Sequence, residues 1–359
     1  MNSVRTPRVS AQINGAPIDT IMHADMTMAG SGRSSRFELT ASTISPASKS
    51  DWLGLLNDRI SVEIFVRSQA AGIDISLFEG LADSVTLDPI NEVASIHGRD
   101  FSSILSDTTS ESSFCNQTAS EIASYIADRH GFSQSISTTS QMVGSYQSGG
   151  YNQVLLNAHS RATSEWDLLT QLAKIEGFEV FVDGTTLVFA PSTSLAINRV
   201  SISRSDVSRL ALRKRCPLSN STTLTVKSWN SWLGNASVYS GNQSSESPAT
   251  DVTGMNNNVD TGIVIVRPNL TQQSAQQMGQ QYMNALNQQL FSVDIVMPGE
   301  LILKPNDTLS VEDSSAGFPM DYTVKSVRRH FSSSGGFVEY IKGQSTGAGS
   351  LLLRNQNQA

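Results

Sequence analysis

Apolar and polar positions change period several times along this 359-residue chain, and each change marks an element. From Arg8 to about Asp107 the period is two, clearest where Ile60, Val62, Ile64 and Val66 alternate with Ser61, Glu63 and Arg67. This predicts a half-buried antiparallel sheet. Asn14-Gly15 is its two-residue hairpin loop, and further strands fall at 36–40, 73–78, 84–87 and 92–97. Short strands at this spacing suggest a barrel or sandwich.

The period then lengthens. Phe101 to Leu105 reads as a short turn of helix. Thr118-Ala119-Ser120-Glu121 is a capping box that opens a helix ending at His130 and closed by Gly131. Ser164 caps a second helix with Asp167 in its first turn, and Trp166, Leu169, Leu172 and Ala173 share its buried face. Gly177 closes that helix, a strand runs from Phe178 to Val182, and Asp183-Gly184 reverses the chain into a strand at 187–189. The Ser- and Gly-rich residues 133–150 between the two helices read as a mobile or extended connection.

Period two returns from about residue 206, with strands expected at 210–212, 222–229, 237–239 and 262–266, and a polar loop over 240–260. Thr271 caps a long helix whose Ala275, Met278, Tyr282 and Leu286 form one apolar stripe, most simply a core face. Alternation over Phe291 to Met297, a turn at Pro298-Gly299, strands at 301–303, 308–311, 322–327 and 337–342, and a loose tail complete the chain. The fold class expected is α+β, mainly β. Its domains are a β domain over 1–104, a small α/β domain over 105–205, a second β domain over 206–345 and a tail over 346–359.

Composition narrows the function. Hydrophobic residues make up 38% and charged residues 16%, and the net charge is −7, which argues against a binder held by phosphate contacts. The first thirty residues carry no secretory signal pattern, and no stretch of 18 apolar residues could form a membrane span. The Asn-x-Ser/Thr sequons, at Asn220 and Asn235 for example, follow from a composition rich in Asn, Ser and Thr. Cys115 and Cys216 read as free thiols.

Candidate chemistry is sparse. His23, His97, His130, His159 and His330 include no pair within five residues, so no helical metal site is expected. Ala29-Gly30-Ser31-Gly32-Arg33-Ser34-Ser35 lacks the lysine of a phosphate-binding loop and reads as flexible. Glu111 with Glu121, or Asp307 with Asp313, could pair for acid/base work, and Asp88, Asp100, Asp251 and Asp260 could meet a cation. Solvated loop acids are the simpler reading. No catalytic, cofactor-binding or metal-binding residue is assigned.

Three runs acquire meaning together. They are His97-Gly98-Arg99-Asp100-Phe101 at the end of the first β domain, the Thr118 capping-box helix ending in His130-Gly131, and the Trp166-Asp167 helix with Gly177 and the Asp183-Gly184 hairpin. With Val293 to Gly299, Asp321 to Val327, and His330-Phe331 before Gly335-Gly336-Phe337, they resemble the baseplate hub proteins of contractile phage tails. The likeness is greatest to the phage Mu hub group, which includes late-control tail proteins and the hub part of type VI secretion spikes. It covers about residues 5–345.

The resemblance implies two similar tube-type β-barrels flanking the α/β domain, in a homotrimer whose six barrels join a six-fold tail tube to a three-fold spike. It implies a structural protein rather than an enzyme, without cofactors. It would be made in the host cytoplasm and located in the virion tail baseplate. Its partners would be the tail tube protein, a separate spike protein and other baseplate proteins, and DNA would pass through an acidic lumen. The rival readings are a type VI or tailocin hub, a carbohydrate-cleaving β protein, and a glycan binder using Trp229 and Trp232.

Overall fold

A computed structural model describes residues 8–18, 20–43, 59–67, 74–109, 113–140, 142–143, 145–146, 153–156, 164–195, 198–215, 221–230, 234–244, 260–267, 270, 272–299, 303–312, 318 and 320–346. Thr271, Leu301, Trp232, residues 245–259 and the tail beyond 346 lie outside them.

The first segment contributes β1 (Arg8–Ile13), β2 (Ala16–Ile18), β3 (Ile21–Ala29), β4 (Arg36–Ser42), β5 (Ser61–Arg67), β6 (Asp74–Asp88) and β7 (Val93–Asp100). Asn14 and Gly15 take the positive φ values, 49° and 79°, that a two-residue hairpin loop between β1 and β2 requires. The two strands expected at 73–78 and 84–87 are one. β6 pairs with β5 over its first half and with β7 over its second, and a bulge between Ala82 and Ser84 lets it bend between these partners.

The middle segment holds α1 (Ser102–Asp107), β8 (Ser113–Cys115), α2 (Ala119–His130), β9 (Ser133–Ile136), β10 (Ser145–Tyr146), β11 (Gln153–Leu156), α3 (Glu165–Glu176), β12 (Glu179–Asp183) and β13 (Thr186–Ala190). The start of the connection expected over 133–150 is structured, because β9 adds to β13 as a parallel strand. Leu105, Ile122, Ile126, Trp166, Leu169 and Phe189 are among the buried residues of this unit's own core.

The last segment contains β14 (Arg199–Ile202), β15 (Arg209–Lys214), β16 (Ser221–Asn230), β17 (Asn235–Ser244), β18 (Asp260–Val266), α4 (Gln272–Gln288), β19 (Phe291–Pro298), β20 (Thr308–Val311), β21 (Asp321–Ser332) and β22 (Gly336–Ser345). β16, β17 and β18 form a separate sheet covered by α4, with Val226, Ala275 and Met278 at its centre. Of the expected stripe on this helix, Ala275 and Met278 are buried while Tyr282 is exposed. Pro298 is the last residue of β19, and the chain bends at Gly299, within the expected turn. Pro298 stays paired with Val338, and the Gly299 amide continues the ladder to the Phe337 carbonyl.

The expectation of two closed barrels is corrected. Among the described residues, thirteen strands form one open sheet in the order β15-β19-β22-β21-β3-β4-β7-β6-β5-β1-β2, with β20 paired to β21 and β14 to β20. The physical reason is the length of β21. Its first residues pair with β20, and the residues from Ser326 to Ser332 pair with β3, so the strand that edges one β lobe also edges the other. The lobes keep separate cores, one around Met26, Leu39, Ile64 and Ile96, the other around Val293, Leu309, Tyr322 and Ile341. The edge strand β15, unpaired on its outer side among the described residues, carries Arg209, Arg213 and Lys214, charges that discourage further strand addition. β14, within the segment expected to end the α/β domain, pairs in the second lobe.

Candidate functional site

Several of the residues singled out from sequence lie where the two lobes and the α/β unit meet. The loop from Ala29 to Ser35 is the centre of this junction. Its Gly30 amide donates to the Lys325 carbonyl of the second lobe at 2.9 Å, and its Gly32 amide to the Val180 carbonyl of the α/β unit at 2.8 Å. Ser31 Oγ accepts from the Val180 amide at 2.8 Å. The expectation of a flexible loop is therefore overturned, since the amides of Gly30, Gly32 and Ser35 are all engaged with protein acceptors. A phosphate cradle needs such amides unengaged.

The His97 to Phe101 run secures the other end of this loop. Asp100 accepts from the Ser35 amide at 2.7 Å and the Ser102 amide at 3.1 Å, and its own amide donates back to the Ser35 carbonyl at 3.0 Å. Ser102 Oγ donates to Asp100 and lies 2.7 Å from Ser34 Oγ, whose hydroxyl can donate to it. Burial pushes the Asp100 carboxyl up, against the pull of these serine donors. Arg99 is held by Asp83 and by Asp107, each through two nitrogens or two oxygens at 2.8–3.1 Å. Gly98 is required by close approach, because a Cβ there would stand 2.1 Å from the Leu81 carbonyl oxygen and 2.6 Å from the Phe37 ring.

The α/β unit presents its own ends to the junction. Ser164 caps α3 by accepting from the Asp167 amide, and Trp166 is buried. Gly177 closes α3 at φ 72°, and the Gln281 side chain of α4 lies over it, donating to the Glu176 carbonyl at 2.9 Å. A side chain at 177 would displace Gln281. Gly184 opens the β12–β13 turn at φ 55°. Beside it, Asp183 accepts from Lys304 Nζ of the second lobe at 2.9 and 3.0 Å, while Glu79 of the first lobe lies against Gly184. Burial pushes the Glu79 carboxyl up, helped by the charges of Glu63 and Asp183. Behind these contacts, buried Glu165 in the first turn of α3 takes Arg129 at 2.8 Å and His130 at 2.5 Å from the end of α2. This matches acid to a helix start and base to a helix end.

Three other candidate acids are used structurally. Glu121 returns to the Thr118 amide in the capping box, Asp88 accepts from the Ile90 and Asn91 amides, and Asp307 accepts from the amides of Lys304 and Asn198. Glu111, Asp251 and Asp313 lie outside the described residues. A concave surface lined by Arg213, Lys214, Arg215, Gln289 and Ser292 contains no carboxylate, so it does not supply a glycosidase pair. Trp229 is exposed on the small sheet, and Cys115 is exposed as a free thiol.

Strand pairing creates one grouping that residue spacing hides. On the outer face of the seam, ligand atoms of His23, Asp25 and His330 all lie within 4.8 Å of one another. His330 stands directly across the ladder from Asp25. Burial pushes Asp25 up, but hydrogen bonds from Arg328 and His330 and their charges outweigh it and hold its carboxyl below the usual range. A search for histidines near in sequence misses this pair; only the β3–β21 register reveals it.

No protein-family model matches the chain, and no curated protein sequence matches it. Solved structures do match. The tail protein from Neisseria meningitidis MC58 aligns with a TM-score of 0.69 at 14% identity, covering 97% of this chain and 99% of that one. The 43 kDa tail protein of prophage MuSo2 from Shewanella oneidensis aligns with a TM-score of 0.67 at 15% identity, covering 95% and 99%. The fold is that of phage tail proteins. An Escherichia coli component of the type VI secretion system, described as similar to the T4 tail proteins gp27 and gp5, shares this fold at TM-score 0.55 and 12% identity. The match covers 93% of this chain and 76% of that one. The tail-protein fold thus takes in both lobes, the α/β unit and the junction between them. No described helix is long and apolar enough to cross a membrane.

Proposed function

We propose that this chain is a structural hub of a phage-tail baseplate, three copies of which join a six-fold tail tube to a three-fold spike. The observation that carries the reading is the near-complete overlap, in both directions, with two tail proteins. The junction supports it physically. An adaptor that presents two β lobes per subunit as quasi-equivalent surfaces needs a fixed angle between them. Here continuous backbone pairing of β3 with β21 and the bond from the Gly30 amide to the Lys325 carbonyl cross the joint, and the Asp183–Lys304 ion pair ties the α/β unit to the second lobe. Rigid lobes with a shared edge would let three chains imitate six.

In this reading the chain performs no chemical step. It acts in the virion tail, with the tube protein, a spike and other baseplate proteins as partners, and its net charge of −7 would help DNA pass a common lumen without sticking. The similarity to a type VI component favours a second setting, a secretion or tailocin particle with the same hub geometry. Single-particle electron microscopy of the purified protein tests the main reading. A three-fold ring with an open centre and six similar lobes is expected; a monomer with a closed cleft overturns it. Proteins co-purified from the native particle separate a phage tail from a secretion apparatus.

A further inference from the structure

We propose that His23, Asp25 and His330 form a binding site for a divalent transition-metal ion of the zinc type, placed across the seam between the two lobes. His23 and Asp25 are two residues apart on β3 and so project from the same face of the strand. His330 comes from β21, the neighbouring strand, in register with Asp25. The backbones carrying the three donors are thus fixed by the ladder that joins the lobes, and the two imidazole rings meet edge to face with centroids 4.8 Å apart.

The donor set selects the ion. Two imidazole nitrogens and one carboxylate suit zinc and its first-row neighbours, whereas calcium and magnesium prefer oxygen donors alone. A tetrahedral zinc ion with bonds near 2.0–2.1 Å places its ligand atoms about 3.4 Å apart. The observed group lies within 4.8 Å, so side-chain rotation alone brings it to that size. None of the three residues is fully buried, which leaves room for the rotation and for water at the remaining position.

Arg328 is the chain's own competitor. Its Nε and Nη2 donate to Asp25 at 2.6–3.0 Å, and His330 Nδ1 lies 3.3 Å from the same carboxylate. A carboxylate offers about four lone-pair sites, so one oxygen can keep Arg328 while the other turns to the metal. The guanidinium charge nearby keeps the affinity modest. Glu38, across the ladder from Asp25 on β4, offsets part of that charge. Because the donors come from both lobes, a bound ion would tie β3 to β21 and stabilise the folded joint by mass action. The proposal does not depend on the hub reading.

The test uses the full chain, stripped of metal and titrated with zinc chloride by calorimetry, with thermal unfolding followed in parallel. One saturable site per chain is expected, together with a rise in the unfolding midpoint that magnesium chloride does not produce. His23→Ala and His330→Asn, made separately, should each weaken zinc binding by more than the roughly 10–100-fold that loss of an outer partner costs. Both side chains are only partly buried, so the metal-free midpoints should match the parent; if one variant is unstable, the other decides. The absence of a saturable site in the parent, or unchanged zinc binding in a variant that keeps its metal-free midpoint, overturns the proposal.

Discussion

The two β lobes share one sheet but differ in what they bury. In the first lobe Met26, Leu39, Ile64 and Ile96 pack beside the tilted pair of Phe37 and Phe78, and the one buried charged side chain among its described residues, Asp100, sits at the end of β7 against the Ala29 to Ser35 loop rather than between cores. The second lobe buries Arg329, Glu339 and Asp307 as well. These charges are placed where the lobe meets its neighbours. Along β21 the inward positions pass from Val327, in the second core, through Arg329 to Phe331, packed on the first. Along β22 they pass from Ile341 through Glu339 to Phe337. Arg329 Nε and Glu339 Oε1 meet at 2.8 Å, so an ion pair separates two hydrophobic cores on one pair of strands. Arg329 also donates to the Leu303 carbonyl at 2.7 Å and reaches Met28 of the first lobe. Burial pushes the Glu339 carboxyl up against the pull of Arg329, and its second oxygen has no hydrogen-bond partner. The difference teaches that the joint is set by partner matching rather than by added apolar area, since desolvating such a pair gives little net stability.

Glu339→Ala tests this most severely. It leaves the buried Arg329 charge unpaired, and a loss of about 3–5 kcal/mol is expected in urea unfolding. The double variant Arg329→Met/Glu339→Leu should recover most of that loss, the remainder reflecting the Leu303 carbonyl left without its donor. If the single and double variants lose stability equally, the ion pair contributes as attraction and not as matching.

Gly98→Ala attacks the first lobe, where packing is apolar and tight. The new methyl meets the Leu81 carbonyl and the Phe37 ring, and overpacking of this kind costs about 1–3 kcal/mol. A second copy of the comparison lies outside both lobes. Ser164→Ala removes the α3 cap and should cost about 1 kcal/mol, with amide exchange accelerating in the α/β unit and not in β3 or β21.

How much of this could be read from the chain follows the range of the interactions involved. The capping box at Thr118 and Glu121, the Ser164 cap and the glycines at 131 and 177 are settled within five residues, and each stands as expected. The His97 to Phe101 run was visible as a pattern, but its purpose was not, because Asp100 is explained by Ser35 and Gly98 by Leu81 and Phe37. The Ala29 to Ser35 loop looked flexible because its composition is that of a linker, while its partners Val180 and Lys325 lie far along the chain. His23 and His330 are brought together only by the β3–β21 pairing, which no spacing rule in the sequence shows. Alternation located β21 but could not show that its two halves serve different lobes.

The smallest expected effect concerns the end of α3, where the α/β unit touches α4. Glu176 is an acid in the last turn, where the helix dipole is unfavourable to negative charge, and burial pushes its carboxyl above the usual range. A raised folded-state pKa means that the folded chain holds this proton more tightly than the unfolded chain does. Its contribution to stability is therefore complete below the unfolded pKa, near 4.3 in order of magnitude, and is lost as pH rises through the folded value. Glu176→Gln removes the charge and keeps the shape. The variant should be more stable than the parent by about 0.3–1 kcal/mol at pH 7, and the advantage should vanish below about pH 4. An advantage independent of pH would place its origin in packing against Gln281. A loss at pH 7 would show that the Glu176 charge serves the contact between α3 and α4.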